Sequence, residues 1–187
     1  MNKKILILDA SAFIGKFFSY FPETEYVTVP EILNEILNEK TRDILEAYIQ
    51  TKKIKIESPS LESIVKIEHV AKETGDLPYI SETDKKLLAL ALDYKEKKNK
   101  VIIVTDDYSI QNIAKRLGVE FVSLLQKGIK FLISWEIYCP ACKKKFPPDY
   151  TKEICDVCGE KIKRKAVKKK LLGDENNEKL ERTYRKG

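Results

Sequence analysis

Short apolar runs alternate with stretches of helical period through about the first 125 residues. Ile5–Leu8, Tyr26–Val29, Ile54–Ile56, Val101–Val104 and Phe121–Ser123 read as strands, and Val101–Val104 is apolar at every position, as burial on both faces requires. Helical spacing runs from Ala10 to Phe21, over Glu31–Asn38 and Arg42–Gln50, from Ser60 to about Lys72, from Ser81 to Lys98 and over Ser109–Leu117. Pro30 stands where a first helical position would be, Ser58-Pro59-Ser60 opens a helix, and Gly118 ends the last one. Gly75-Asp76-Leu77-Pro78 reads as a loop. Strands alternating with helices predict an α/β fold in which a largely parallel sheet is covered on both faces.

This domain is expected over residues 1–125, followed by a linker or added strand over 126–137, a cysteine-bearing segment over 138–162, and a basic, disordered tail over 163–187. Among 187 residues, 43% are hydrophobic and 9% aromatic, enough to build a core and to exclude a wholly disordered chain. No apolar run approaches the ~20 residues that cross a bilayer. The start Met-Asn-Lys-Lys-Ile-Leu-Ile-Leu imitates a secretion signal until Asp9 interrupts it. The expectation is a soluble cytoplasmic protein with no membrane contact.

The formal charge of +6 is unevenly spread. Residues 1–130 carry 20 Lys/Arg and 20 Asp/Glu, residues 131–160 carry 4 and 5, and residues 161–187 carry 11 and 4. The basic excess therefore sits at the C-terminal end, starting at Lys161-Ile162-Lys163-Arg164-Lys165, where it would attract a polyanion such as nucleic acid. Lys143, Lys144, Lys145, Lys163, Arg164 and Lys165 are the candidate contacts; a solvated surface would explain them equally simply.

All four cysteines fall within twenty residues, as Cys139-Pro-Ala-Cys142 and Cys155-Asp-Val-Cys158-Gly. Each C-x2-C turn can aim two thiolates at one point, and two such turns complete a tetrahedron around Zn²⁺. A segment of this size cannot fold on its own apolar content. Structural zinc, at an apparent binding energy on the order of 10–16 kcal/mol, can hold it. Four sulfur ligands leave no open position, so one structural zinc is expected. A redox C-x-x-C pair is the alternative, but no thioredoxin-like pattern surrounds either copy.

In open parallel sheets, ligands bind beyond the carboxyl ends of the strands. Ile5–Leu8 runs into Asp9, and Val101–Val104 runs into Thr105-Asp106-Asp107. Ionised carboxylates ~4 Å apart repel by about 4 kcal/mol at an effective dielectric of 20, so such a cluster calls for a hard cation such as Mg²⁺ or Mn²⁺. Paired ions would suit phosphodiester hydrolysis. Plain structural readings exist for each residue. Asp9 or Ser11 can cap the first helix and Asp106 the helix after it; Ser81-Glu-Thr-Asp84 is a capping box; Glu31, Glu35 and Glu39 have the spacing of a solvated face. Spacing does not rank Asp106 against Asp107. His69 is the sole histidine and reads as structural, and neither a glycine-rich phosphate loop nor a nucleophile motif is present.

These residues resemble those of the PIN-domain nucleases. The likeness lies in Ile7-Leu8-Asp9-Ala10-Ser11-Ala12-Phe13, Val29-Pro30-Glu31-Ile32-Leu33-Asn34-Glu35-Ile36, Ser81-Glu82-Thr83-Asp84 and Val104-Thr105-Asp106-Asp107. The resemblance implies a Rossmann-like three-layer α/β/α fold and a metal-dependent ribonuclease. It makes Asp9, Glu35, Asp84 and Asp107 the ligands of one or two Mg²⁺ or Mn²⁺ ions, with Asp106 as a possible further ligand and Ser11 and Thr105 as hydroxyl partners. With the four-cysteine ribbon added, the chain is similar over residues 1–160 to the endonuclease that matures the 3′ end of small-subunit ribosomal RNA. Precursor rRNA and the small-subunit precursor are then the implied partners. A VapC-like toxin ribonuclease and a catalytically inactive zinc-ribbon RNA-binding scaffold are the competing expectations.

Overall fold

The computed structural model describes residues 4–14, 24–124, 128–129 and 131–171. Five parallel strands, β1 (Lys4–Leu8), β2 (Glu25–Thr28), β3 (Ile54–Ile56), β4 (Lys100–Val104) and β5 (Glu120–Val122), form one sheet in the order β3-β2-β1-β4-β5. β1 and β4 lie at its centre, and every residue after the first lysine of each is buried. This explains why both runs are apolar without alternation. The strand order reverses between β1 and β4, so the crevice of such sheets opens where Asp9 and Thr105-Asp106-Asp107 emerge. No helix among the described residues is long and apolar enough to cross a membrane.

The helices are α1 (Ala10–Ile14), α2 (Ile32–Glu35), α3 (Glu39–Gln50), α4 (Leu61–Thr74), α5 (Glu82–Glu96) and α6 (Tyr108–Arg116). The expected continuation of α1 to Phe21 lies outside the described residues. α2 stops at Glu35, short of the expected Asn38. Asn38 takes an extended backbone to cap α3, its side chain accepting from Thr41 N–H, and a helix cannot run through that position. Ser60 caps α4, and Gly75 ends it at φ +74°. A Cβ at Gly75 would lie 2.7 Å from the Trp135 carbonyl oxygen, so this glycine permits both the left-handed turn and a close backbone contact.

A second, antiparallel sheet follows in the order β7-β6-β8, from β6 (Phe131–Tyr138), β7 (Lys145–Phe146) and β8 (Lys163–Leu171). Its small core holds Ile137, Cys139, Phe146, Cys155 and Ile162. Two expected boundaries therefore change. Most of the 126–137 segment is the strand β6, and the tail expected from residue 163 begins as β8, paired with β6 over Phe131–Tyr138 with a bulge at Ser134/Trp135. Residues 161–171 carry seven Lys/Arg and no Asp/Glu, whereas residues 172–187 carry four of each, so the basic excess belongs to β8 and its approach. A lysine-rich edge strand shows no apolar alternation, and its charge blocks pairing with another chain.

The second sheet is docked on the first domain by polar contacts. The Asn112 side chain of α6 donates to Ile133 O at 2.9 Å and accepts from Ile133 N at 3.0 Å, substituting for a neighbouring strand. Arg116 donates to Ile133 O and to Ser134 Oγ, each at 2.9 Å. Arg164 of β8 lies between the rings of Tyr79 and Trp135, 4.0 and 4.2 Å from their centroids, and donates to Asp76 Oδ1 at 3.2 Å. Asp76 is 1% exposed and also accepts from Thr74 and Asn112.

Candidate active site

Asp9 follows β1 directly and is 8% exposed. Its Oδ1 accepts from Ala10 N–H at 2.7 Å, while Oδ2 accepts from Ser11 Oγ at 3.0 Å and from Thr105 Oγ1 at 2.8 Å. Both expected hydroxyl partners thus meet this carboxylate. Thr105 Oγ1 also accepts from Asp107 N–H at 3.0 Å, and Ser11 Oγ accepts from Asp106 N–H at 3.2 Å. These bonds tie the ends of the two central strands together. Burial pushes the Asp9 carboxyl above its ordinary range; its three hydrogen bonds oppose that rise, and the nearby Asp107 charge adds to it.

Asp84 arrives from another direction, at the start of α5. Ser81 Oγ accepts from Asp84 N–H and Asp84 Oδ2 accepts from Ser81 N–H, each at 3.1 Å, so the capping box expected here forms. The carboxylate has a second character. Burial, with added repulsion from Asp107 and Asp9, raises its pKa to about 6, despite the opposing hydrogen bonds from Ser81. Asp9, Asp84 and Asp107 therefore share one electrostatic field although they come from three separate places in the chain.

The two aspartates after β4 part company. Asp107, rather than Asp106, caps α6, its Oδ1 accepting from Ser109 N–H at 2.6 Å and from Ile110 N–H at 3.1 Å. Its Oδ2 accepts no hydrogen bond among the described residues, and its charge reaches Asp9 and Asp84. Asp106 turns toward the end of β5, where its Oδ1 accepts from Ser123 Oγ and, at 3.0 Å, from Leu124 N–H.

Glu35 ends α2, at the carboxyl edge of the sheet next to β1, and is exposed. The structure brings it to the same edge without placing it in contact with the three aspartates. Its neighbour Glu31 does not lie on a solvated face. It pairs with Lys86 of α5, two residues beyond Asp84, and the Lys86 ammonium holds its carboxyl below the usual range. The other Glu31 oxygen is shielded from water and has no partner among the described residues. Sequence reasoning missed this bridge, since a lysine on a helix surface gives no sign of its partner 55 residues away.

The ribbon thiols converge more tightly. Ligand atoms of Cys139, Cys142, Cys155 and Cys158 all lie within 4.8 Å of one another, with no disulfide. Cys139 and Cys158 Sγ are 3.5 Å apart, and Cys142 and Cys155 Sγ are 3.6 Å apart. A tetrahedral ion bound at the usual zinc–sulfur distance would set its sulfurs about 3.8 Å apart, so the donor set fits a closed four-sulfur centre and the fold is consistent with a zinc ribbon. Lys143 and Gly159, each following the second cysteine of its pair, share a left-handed backbone at φ +64° and +74°. Such matched turns are what aim each pair of thiols inward. Among the described residues the carboxylates do not reach the cysteines' spacing. Mg²⁺ does not require it, because this ion keeps several waters and binds protein directly through one or two carboxylates.

Most candidate cationic contacts have protein partners. Lys144 pairs with Asp156 at 2.9 Å; Lys145 and Lys165 flank Glu136 at 2.7 and 2.8 Å; Arg164, half-buried, is the partner of the buried Asp76. Its place between two rings gives Arg164 a structural role whatever else it contacts. Lys143 donates to Pro140 O at 2.6 Å within its own turn.

The family model described as the PIN domain of ribonuclease matches residues 6–94. The chain is similar to Endoribonuclease Nob1 of Methanocaldococcus jannaschii, with 41% identity over 168 residues, covering 90% of this chain and 81% of the relative. Ribonuclease VapC1 of Thermoplasma acidophilum is 37% identical over 168 residues, with the same two coverages. The 20S-pre-rRNA D-site endonuclease NOB1 of Saccharomyces cerevisiae is 32% identical over 98 residues, which is 51% of this chain and 21% of that protein. The sheet order, the converging aspartates and the four-cysteine ribbon agree with these matches, and the chain belongs to the Nob1 family of PIN-domain endoribonucleases.

Proposed function

We propose that this protein is a divalent-metal-dependent endoribonuclease that cuts precursor small-subunit rRNA at its 3′ end. The observation that carries the reading is the meeting of Asp9, Asp84 and Asp107 at the β1/β4 switch point, in mutual repulsion and, among the described residues, with no cation of the protein paired to them. The yeast relative, a 20S-pre-rRNA D-site endonuclease, supports the choice of rRNA. Asp9, Asp84 and Asp107, with Glu35 from the adjoining edge, hold one or two Mg²⁺ or Mn²⁺ ions; Asp106 supports the end of β5 instead. Bound there, the metal supplies an activated water and charge stabilisation for the leaving oxygen. Ser11 and Thr105 orient Asp9 and hold it ionised, and Lys86 fixes the short helix that carries Glu35. The ribbon holds one structural Zn²⁺ through its four cysteines.

RNA must approach an acidic centre, and the basic run of β8 is the feature that offsets that repulsion. The test is cleavage of an RNA spanning the small-subunit 3′ end, with ends mapped, in Mg²⁺ or Mn²⁺. Wild type is expected to cut at one position and Asp9→Asn to be inactive while folded. Full activity in Asp9→Asn refutes the chemistry.

A toxin ribonuclease is the second reading. It is favoured by the VapC1 relative, which aligns over 90% of the chain, so the presence of a ribbon does not separate the two. Growth arrest on expression, relieved by a cognate antitoxin, would decide for it.

A further inference from the structure

A cavity of about 200 Å³ lies between α6 and β6. It is lined by Tyr108, Ser109 and Asn112 of α6, by Ile129, and by Phe131 and Trp135 of β6. It adjoins the carboxylate centre directly, because Ser109, on its wall, donates its N–H to Asp107 at 2.6 Å. Tyr108 and Phe131 are 52% and 40% exposed, unusual for aromatic side chains that could have closed over one another. The volume is below the ~300–1,000 Å³ of pockets for drug-sized ligands and suits one heterocyclic ring system.

The chemistry of the lining narrows the occupant. Asn112 spends its side-chain amide on Asp76 and Ile133, and the Arg164 charge is paired with Asp76 between two rings, so among the described residues the lining holds no unpaired cation for an anion. The nearby Asp107 would repel a phosphate. What remains is apolar and aromatic surface with two hydroxyls, the Tyr108 phenol and that of Ser109, the latter unbonded among the described residues. Such a lining takes a flat, neutral ring with a polar edge.

We propose that this cavity receives one unstacked nucleobase of the RNA strand passing the carboxylates, with Tyr108 and Phe131 as its stacking faces and Ser109 Oγ at its edge. The proposal rests on the ribonuclease reading above and adds a specificity subsite to it. Single-stranded RNA is commonly read this way, by bases splayed onto aromatic side chains. Withdrawing one base from the strand would also fix the register of the backbone against Asp107, so the pocket would help select which phosphate is cut. With only hydroxyls to offer at its edge, the site selects by ring size and stacking more than by a hydrogen-bond code.

The test uses the full-length protein and an RNA that it cuts at a mapped position, carrying single abasic substitutions near that position. One abasic position is expected to weaken wild-type binding about 5- to 100-fold. The Tyr108→Ala/Phe131→Ala protein should bind intact RNA that much more weakly and be indifferent to the same abasic position, with Tyr108→Phe restoring most of the loss. Both side chains are partly exposed, and an unchanged thermal melt confirms that the variant folds. Trp135 is the sole tryptophan, and its fluorescence should respond to intact RNA and not to the abasic one. If wild type binds and cuts every abasic RNA equally, or the double variant is as sensitive as wild type, no base enters the cavity and the nuclease reading stands without it. If wild type cuts no RNA with either metal, the nuclease reading falls and the subsite falls with it.

Discussion

Thr105 Oγ1 donates to Asp9 Oδ2 at 2.8 Å and accepts from Asp107 N–H at 3.0 Å, so one buried hydroxyl joins two candidate metal ligands. A carboxylate that accepts hydrogen bonds is easier to ionise, and here that effect opposes the burial that pushes Asp9 upward. Thr105→Val removes both bonds at nearly constant volume. The expected result is a loss of about 1–3 kcal/mol in unfolding free energy, from the unsatisfied buried groups. More Mg²⁺ or Mn²⁺ should be needed for half-maximal cleavage, and the acidic limb of the pH profile should move to higher pH. Thr105→Ser should restore all three, whereas a variant that is only less stable would leave the pH profile in place.

Asp84 makes the centre costly to keep ionised. Its carboxyl titrates at about 6 in the folded chain against 3.8 for the free group. Between those values the folded state holds a proton that the unfolded state has released. The contribution of this group to metal-free stability is therefore greatest below about pH 4 and is lost as pH rises through 6. The loss from this group is at most about 3 kcal/mol by pH 7, and less where solvent screens this half-buried carboxylate. Asp84→Asn keeps an oxygen to accept from Ser81 N–H and removes the charge. It should melt higher than metal-free wild type at pH 7, match it near pH 4, gain nothing from Mg²⁺, and cut no RNA. Equal melting at pH 7 would show that the three aspartates do not repel one another in solution.

The sheet was legible because burial on two faces leaves an unbroken apolar run, as in Val101–Val104, and the aspartates were legible because they stand at the ends of such runs. Asp84 illustrates the limit of that reading. Ser81-Glu-Thr-Asp84 is both a capping box and a wall of the centre, and only the fold shows that one carboxylate has both places. The second sheet was less legible. β8 is held by backbone pairing and by Arg164, and neither leaves a period in KRKAVKKKL. Asp76 read as a loop residue because its partners, Asn112 and Arg164, are 36 and 88 positions away. Contacts of that range carry no local pattern.

Arg164 and Asp76 should behave as a unit. Removing Arg164 leaves a carboxylate 1% exposed without its cation, and Arg164→Ala is expected to cost about 3–5 kcal/mol in urea-induced unfolding. The double variant Arg164→Met/Asp76→Asn should recover much of that loss, because the buried charge is removed along with its partner. If the double variant is as unstable as the sum of the single ones, stacking of Arg164 on Tyr79 and Trp135 outweighs the ion pair.

Metal in the ribbon is expected to hold a core of five buried residues, too small to persist alone. Stripping it with a strong chelator, or replacing Cys155 by Ser, should expose the ribbon to proteolysis between residues 139 and 162. The parallel sheet should keep its melting transition. Atomic absorption should return one zinc per chain for wild type. Loss of the whole fold on chelation would mean that the ribbon also supports the first domain.

The placement of positive charge predicts which truncation matters. Residues 172–187 carry four Lys/Arg and four Asp/Glu, whereas residues 161–171 carry seven Lys/Arg and no acid. Ending the chain after Leu171 should therefore leave RNA affinity and its salt dependence nearly unchanged. Replacing Lys168, Lys169 and Lys170 together by Gln keeps the strand and removes three charges. Each charge that meets a phosphate contributes about 0.7 to the slope of log affinity against log salt for a single strand, so the slope should fall by up to about 2. The same substitution should leave cleavage at saturating RNA unaltered, since β8 carries none of the candidate carboxylates. If the truncation flattens the slope and the substitution does not, the strand is a structural edge and the RNA follows the last sixteen residues instead.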